Sequence, residues 1–507
     1  MAISSSLRSG ADFIRSETLL QNQERLADFN RQLATGERAT SYGDLGSSRV
    51  QSISLRSDVS RLEAFQDSIQ RVNIRVDLTV LPLERLESIR SEARDAVNTN
   101  NFVDLGNGNT FAQQLTEVLL TETVALLNSQ ADGRYVFGGN DVGSPPVESL
   151  DLILSGDAAR AGLRDVTDER LSADLGANGL GRLGTVIDPA TPSVVTLSEG
   201  AVTDFGFDIA GVDNDLSGVN ATFSGGEPAR LDVDFTAQPA IGENIRLFVD
   251  LPDGTQEIVT LTAGAESGGL GAFALGSTSA ETAANFQDAL RNEIGTLART
   301  ELSAVSRLIS ADNFFNTESG RLPQRVDLSS GGGTPETATG LVDGTENNTV
   351  LFYTGQNDAE DPRLGLTARV DDTISVDYGL RANEEGLRSN LATLAAFSVA
   401  DFTDSTLEDN QAAYAALASR ATNDLATQVG EPSIQSIVQE IAGIQAIAGN
   451  ANERHTIAIN ALDGIREDIE RADPTEVALQ LLGLQTTIEA SFAASGRINE
   501  LSLLEFV

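Results

Sequence analysis

Apolar residues recur at alternating steps of four and three near both ends of this chain. One row runs through Leu55, Val59, Leu62, Ile69, Val76, Val80 and Leu83. The other runs through Ile434, Ile437, Ile441, Ile444, Ala448, Ala451, Ala458, Leu462, Ile465 and Ile469. A 3.5-residue repeat lays a narrow apolar stripe along one side of a helix, and a second helix is what covers such a stripe. Each stripe is expected to find its partner at the opposite end of the chain, with a different domain looped out between them. The fold class that follows is α+β: a long antiparallel helical bundle or coiled coil from both termini, carrying a β-rich insertion. A chain closed on itself in this way suits a building block better than a catalyst.

The chemistry available to the side chains points the same way. There is no Cys, which removes disulfides, thiolate metal sites and Cys nucleophiles, and the one His leaves His-based triads little to work with. The formal net charge is −41, and none of the 34 basic residues is a lysine. So acidic a surface repels nucleic acid and anionic membrane, both of which need clustered cations. No apolar run is long enough to span a bilayer. The opening MAISSSLRSGADFIRSE has neither an apolar h-region nor a small-residue cleavage site, unlike a secretory signal peptide. With 507 residues, two to four domains are expected.

Organisation changes twice along the chain. Residues 1–140 read as helical. Leu19, Leu26, Phe29 and Leu33 share a face, Gly36 falls where a C-cap glycine would stand, and Ala39–Gly46 is a loop by composition. Pro82 is placed to kink the second helix. A third helix is expected to turn Phe111, Leu115, Val118 and Leu119 inward, and Tyr135–Phe137 reads as a short strand. From 141 to 345 Gly, Asp, Thr and Pro rise and the heptads stop. Asn244–Thr262 alternates around Pro252-Asp253-Gly254 as a hairpin, and Leu231, Val233 and Phe235 mark another strand. A helix capped by Thr278 and Glu281 turns Ala283, Phe286, Leu290, Ile294 and Leu297 inward, and Ser329–Thr334 reads as a linker. Val350–Tyr353 is a strand candidate, and a second hairpin surrounds Asp371-Asp372. Helix resumes near Glu384, with Pro432 and Pro474 at helix starts.

Four segments resemble the flagellin superfamily, and within it the hook-associated junction branch. They are Arg31–Arg38 (RQLATGER) with Ser48–Ala64; Gly133–Asn140 (GRYVFGGN); Tyr378–Arg388 (YGLRANEEGLR); and the tail Leu484–Val507, which contains LSLLEFV. Thr40–Asp44 (TSYGD) departs from the P-S-D-D-P loop of that family. The resemblance implies that 1–45 and 473–507 are helices of an inner tube and that 46–140 and 346–472 are the halves of a helical rod. Residues 141–345 would be a β-rich outer domain, enlarged or duplicated. It further implies a homo-oligomeric ring between a neighbouring hook-associated junction protein and flagellin, type III export, an extracellular flagellar location and an export chaperone. Leu481, Leu484, Ile488, Phe492 and Ile498 are the expected terminal assembly and chaperone contacts. Leu55, Val59, Leu62, Ile69, Val76, Ile434, Ile437, Ile441, Ile444, Leu462, Ile465 and Ile469 form the expected self-assembly seam. Filament flagellin is the alternative reading, and an exported flagellin-like protein with an adhesive or enzymatic middle domain is a third.

Other patterns carry less. His455 lies in register with Ala451 and Ala458 and reads as a packed or partly exposed interface side chain. Gly179-x-Gly181-x-x-Gly184 matches a dinucleotide fingerprint on paper, but no strand precedes it and no helix follows. Asp213, Asp215 and Ser217 open like a Ca²⁺ loop whose twelfth position, Ser224, is not the bidentate Glu such a loop needs, and a turn between strands is the better reading. No nucleophile elbow, zinc motif or phosphate loop is present. The expectation is therefore no enzyme, no cofactor, no nucleic-acid partner and no membrane partner.

Overall fold

The computed structural model describes the backbone of residues 2–504, except 99–101, 107–108, 266–268, 270, 330–331, 403–408 and 428–431, and the side chains of 16–497 outside the same gaps. Helices dominate both ends of the chain. The first three are α1 (Ala2–Thr35), α2 (Arg49–Ala96) and α3 (Phe111–Leu127), and α2 runs on through Pro82. A tight hairpin follows, β1 (Gln130–Ala131) and β2 (Arg134–Tyr135), then α4 (Leu150–Ser155) and α5 (Leu163–Leu175). Eight strands come next: β3 (Leu183–Ile187), β4 (Val194–Glu199), β5 (Asp208–Asn214), β6 (Val219–Ser224), β7 (Arg230–Phe235), β8 (Asn244–Asp250), β9 (Gln256–Gly264) and β10 (Ala272–Ala274). After them lie α6 (Ser279–Leu297), α7 (Ser303–Phe315), β11 (Gln324–Val326), β12 (Leu341–Asp343), β13 (Thr367–Arg369) and β14 (Ser375–Asp377). The chain closes with α8 (Glu385–Val399), α9 (Asn410–Thr427), α10 (Ile434–Glu470) and α11 (Pro474–Leu504).

The fold is α+β and forms two compact units. One holds residues 1–72, 368–376 and 446–507; the other holds 73–367 and 377–445. The divisions run through α2 and α10 rather than at the composition changes near 140 and 345.

In the first unit α1 packs against α11. Gly36 ends α1 with φ +73°, and its N–H donates to the Gln32 carbonyl at 2.8 Å, the C-cap geometry that glycine tolerates best. The two helix connectors then join. The Arg38 N–H donates to Glu470 O at 2.8 Å and the Ala472 N–H to Gly36 O at 2.9 Å. Asp473 caps α11, its carboxylate accepting from the Thr475 N–H at 2.7 Å. The segment 39–46 is not an open loop. Tyr42–Ser48 is a 3₁₀ turn, opened by Ser41 and Asp44 bonded to each other at 2.9 Å.

In the second unit two four-stranded sheets, β3-β4-β7-β6 and β10-β9-β8-β5, enclose one apolar core. The β8–β9 hairpin pairs Asn244 with Thr262 and turns at the expected Pro252-Asp253-Gly254. Helix α6 packs on strands of both sheets through Ala283, Phe286, Leu290 and Ile294. The rings of Phe235, Phe273 and Phe286 meet with centroids 5.3 to 6.2 Å apart, mostly edge to face. The middle is more helical than composition suggests, since α4, α5 and α7 join α6. Val350–Tyr353 is not a strand; it lies between two isolated bridges, Thr349 just before it with Ala161 and Tyr353 with Val147. The linker reading at 329–334 falls partly on Ser330 and Gly331, outside the described residues.

Candidate assembly interface

The two 3.5-residue stripes do cover each other. Within the first unit Ser52 donates to the Glu470 carboxylate at 2.5 Å, and the Gln66 amide donates to Thr456 Oγ1 at 2.9 Å. Stepping fourteen residues up α2 therefore steps fourteen down α10, which defines an antiparallel pair. Within the second unit Gln445 donates to Asp77 at 2.6 Å and Gln435 to Glu87 at 3.2 Å, ten residues on against ten back, in the same register. Arg56 adds a two-pronged bond to Glu470 at 3.0 and 2.6 Å, which holds that carboxyl below its usual range.

Leu55, Val59, Ile69, Val76, Ile434, Ile437 and Ile441 are buried within the chain; Leu62, Ile444, Leu462 and Ile469 are half-buried. The seven buried side chains are closed by the chain's own helices and are not a surface offered to a neighbouring copy. Ile465 departs from the stripe, at 45% exposure. Arg466 lies half-buried in its place and pairs with Asp463 at 2.9 Å. On α2 one row holds the heptad through Leu55, Leu62, Ile69, Val76 and Leu83. The second row, Ser52 and Val59, reappears one residue early as Val72, Thr79 and Leu86. Two successive steps of three cause this, the pattern that overwinds a coiled coil locally. It falls at Val72, where the chain leaves the first unit, and it turns Val80 half out of the seam.

On α3 Leu119 is buried as expected, but Phe111, Leu115 and Val118 face the other way. The buried face of the helix carries Gln113, Thr116, Leu119, Leu120 and Thr123, while Phe111 is 52% exposed, Val118 is 58% exposed and Leu115 is also in solvent. The polar groups are satisfied inside. Thr116 and Thr123 donate back to Ala112 O and Leu119 O at 2.8 Å, and the Gln113 amide donates to Ala400 O at 2.5 Å. Phe111, Leu115 and Val118 share one helix face at steps of four and three. Ile74, Leu78 and Leu81 repeat that spacing on exposed α2, and Arg85 bridges to Glu122 of α3 at 2.7 Å.

The α1–α11 pair is equally one-sided. Leu19, Leu26 and Phe29 of α1 and Leu481, Leu484 and Ile488 of α11 are only half-buried. Leu20, Leu33, Leu479, Leu482 and Phe492 are exposed, and Val477 is the one fully buried side chain among the described residues of the two helices. The side chain of Ile498 lies outside the described residues.

Segments far apart in sequence meet in the second unit. Asp132 and Gly133 both take positive φ in the β1–β2 turn. The GRYVFGGN segment then meets YGLRANEEGLR: the Gly139 N–H donates to Leu380 O at 2.8 Å and the Ala382 N–H to Phe137 O at 2.9 Å. A Cβ on Gly138 would lie 2.1 Å from Asp141 O, so only glycine fits there. Beside this junction Glu384 is buried, its carboxylate gripped by Arg363 at 3.0 and 2.9 Å. Burial pushes its pKa up against the pull of that guanidinium.

The remaining sequence candidates resolve locally. His455 is buried, stacks on Phe65 with centroids 5.6 Å apart, and places Nε2 2.8 Å from Val370 O. Asp213 is engaged by Arg246, and Ser217 donates through both N–H and hydroxyl to Glu243 at 2.7 and 2.8 Å. The Asp213, Asp215 and Ser217 segment is thus a turn that carries the chain from β5 of one sheet to β6 of the other, with Gly218 at φ +71°. Among the described residues no three His, Asp or Glu side chains are grouped to hold a metal. The Gly179–Gly184 segment leads from α5 into β3 with no helix after it. No described helix is long and apolar enough to cross a membrane.

Residues 9–119 match the bacterial flagellin N-terminal helical region. That stretch holds most of α1, all of α2 and the exposed face of α3, and the match supports a place in the flagellin superfamily. No curated protein matches the chain.

Proposed function

We propose that this chain is a structural subunit of the bacterial flagellum, exported through the flagellar type III apparatus, and that it works as the adaptor between hook and filament. One observation carries the structural role. The stretch that matches flagellin presents apolar faces that the chain itself leaves open: Leu20 and Leu33 on α1, and Phe111, Leu115 and Val118 on α3, with Leu479, Leu482 and Phe492 adding to them on α11. Exposed apolar stripes at helical spacing mark protein interfaces. A second copy of the chain is the natural cover, since self-assembly is what flagellin helices do. Ordering a helix costs ~1–2 kcal/mol per residue in backbone entropy. Burial against neighbours returns roughly 1.5–3 kcal/mol per large apolar side chain. Assembly thus completes what the lone α1–α11 pair leaves half-finished, and before export a chaperone would cover the same face of α11. The work is mechanical rather than catalytic.

The junction assignment rests on the GRYVFGGN segment and its pairing with YGLRANEEGLR. Filament flagellin is the second reading, and the N-terminal match fits it equally. Immunogold labelling of isolated flagella separates them. A band at the distal end of the hook is expected. Label along the filament moves the chain to flagellin, and flagella without label end both readings. Deletion of the encoding gene is expected to leave hooks and shed flagellin into the medium.

A further inference from the structure

A cavity of about 850 Å³ opens in the second unit beside the α6–α7 helix. Three of its lining residues are arginines on that helix, Arg291, Arg299 and Arg307. At about 100° per residue, the sixteen residues from Arg291 to Arg307 would carry a side chain roughly 160° round a regular α-helix. Here one wide π-type turn, Ala298–Leu302, interrupts the helix, while Leu297, Ala298, Leu302 and Ser303 all keep right-handed helical angles. Such a turn takes up one extra residue and cuts the offset to roughly 60°. Gly295 clears the wall between them, because a Cβ there would sit 3.2 Å from Arg299 Nη1.

Arg307 is the informative member. It keeps 8% of its accessible surface, yet among the described residues it makes no hydrogen bond and no ion pair. Asp168 and Asp401 act on it through space, opposed by Arg164, and burial lowers its pKa. The other buried arginines among the described residues are bonded: Arg170 to Asp174 at 2.8 Å, Arg381 to Asp358 at 2.7 Å, Arg388 to Asp312 at 3.0 Å. The Arg307 guanidinium borders the cavity rather than a protein acceptor, so its five donors are open to whatever fills the space before them. Arg299 is held by Asp409 at 2.7 Å, and Arg291 stands exposed at the mouth. Leu175, Leu180, Phe402 and Leu417 supply apolar walls.

We propose that this cavity binds a small organic anion, its carboxylate or phosphate head on Arg307 and its body against the leucine walls. The volume suits a ligand of sugar size, within the ~300–1,000 Å³ usual for such sites. A planar guanidinium recognises either oxyanion through paired N–H donors.

Calorimetric titration of the full chain with glucose 6-phosphate, glucuronate and neutral glucose tests this. Saturable heat with at least one of the two anions and none with glucose is expected. Phosphate alone, carboxylate alone or both identify the head group, and each supports the site. No heat from either anion, or equal heat from glucose, overturns it. Arg307→Met should weaken binding about tenfold or more, the loss of one charge-assisted contact. Without ligand the same variant should melt at or above the parent temperature, since it removes a buried charge that has no bonded partner. A lower melting temperature would mean that Arg307 already serves the fold, and would overturn the proposal. Arg291→Gln at the exposed mouth provides a variant with unchanged folding and a smaller loss of affinity; unchanged affinity in both variants also overturns it.

Discussion

The terminal helix pair and the β-rich core use similar side chains to opposite ends. In the core, Phe235, Phe273 and Phe286 are fully buried, and the two sheets and α6 close around them with no second molecule. In α1 and α11, Phe492 is 55% exposed, and among the described side chains only Val477 is fully covered. The first region has its stability within one chain. The second has apolar area that can be withdrawn from water only by another molecule. A subunit that must stay single until it reaches its place of assembly needs this division, because a terminal pair closed on both sides would have nothing left to join.

The most severe way to break the comparison is to remove α11. A chain truncated before Pro474 is expected to lose polymerisation altogether by sedimentation, while keeping the strand signal in far-UV circular dichroism. Retained polymers would place the assembly face elsewhere. Next come two phenylalanines. Phe286→Ala should cost about 3–5 kcal/mol in the urea unfolding of the sheet region, as large core truncations do. Phe492→Ala should change monomer stability by no more than about 0.5 kcal/mol and raise the critical concentration for assembly instead. Equal effects on the monomer would erase the distinction between the regions. A charge on the α3 face gives a finer test. Val118→Asp should leave melting nearly unchanged and weaken polymerisation at least about tenfold, since a buried unpaired carboxylate costs several kcal/mol. Unchanged polymerisation would show that this face stays in water.

Much of this division was legible in the chain. The 3.5-residue stripes pointed to the α2–α10 pairing because a heptad row needs a second helix to cover it and each end of the chain carries one. The β8–β9 hairpin followed from alternation around Pro252-Asp253-Gly254, and His455 from its place in the seam. The α3 face was not legible. Apolar spacing cannot say whether a stripe meets its own chain or another, and the buried face of α3 hides behind Thr116 and Thr123, whose hydroxyls bond back to the helix. Ile465 and Val80 were misplaced for a related reason. Each lies where a strict heptad would bury it, and local shifts of phase on α10 and α2 moved the seam to a neighbour. The arginine-lined cavity was hidden as well, because two successive spacings of eight residues drift roughly 160° apart on a regular helix and return to one side only when a wide turn intervenes.

Acidity offers the gentlest test, since it acts on the two regions with opposite sign. On α9, burial raises Asp424 to about 6; Arg420 opposes the shift, and Asp253 and Asp312 add to it. An unfolded Asp titrates near about 3.9. The folded chain therefore holds the proton more tightly. The stability penalty of the charged form is absent below about pH 4, grows between roughly 4 and 6, and is complete above that. Asp424→Asn should thus stabilise the second unit at pH 7 by about 1 kcal/mol, after allowance for partial solvent screening, and have no effect at pH 4. Glu470 in the first unit runs the other way. Its hydrogen bond from Arg56 holds the folded pKa below the unfolded value, so its stabilisation is present at neutral pH and is lost only as pH falls through the folded pKa. Mild acidification from pH 7 to 5 should therefore firm the unit that carries the sheets and leave the α2–α10 contact at Glu470 intact. Melting curves of Asp424→Asn at pH 7 and pH 4 measure this directly, and a stabilisation that persists at pH 4 would show that the buried carboxylate is not its source.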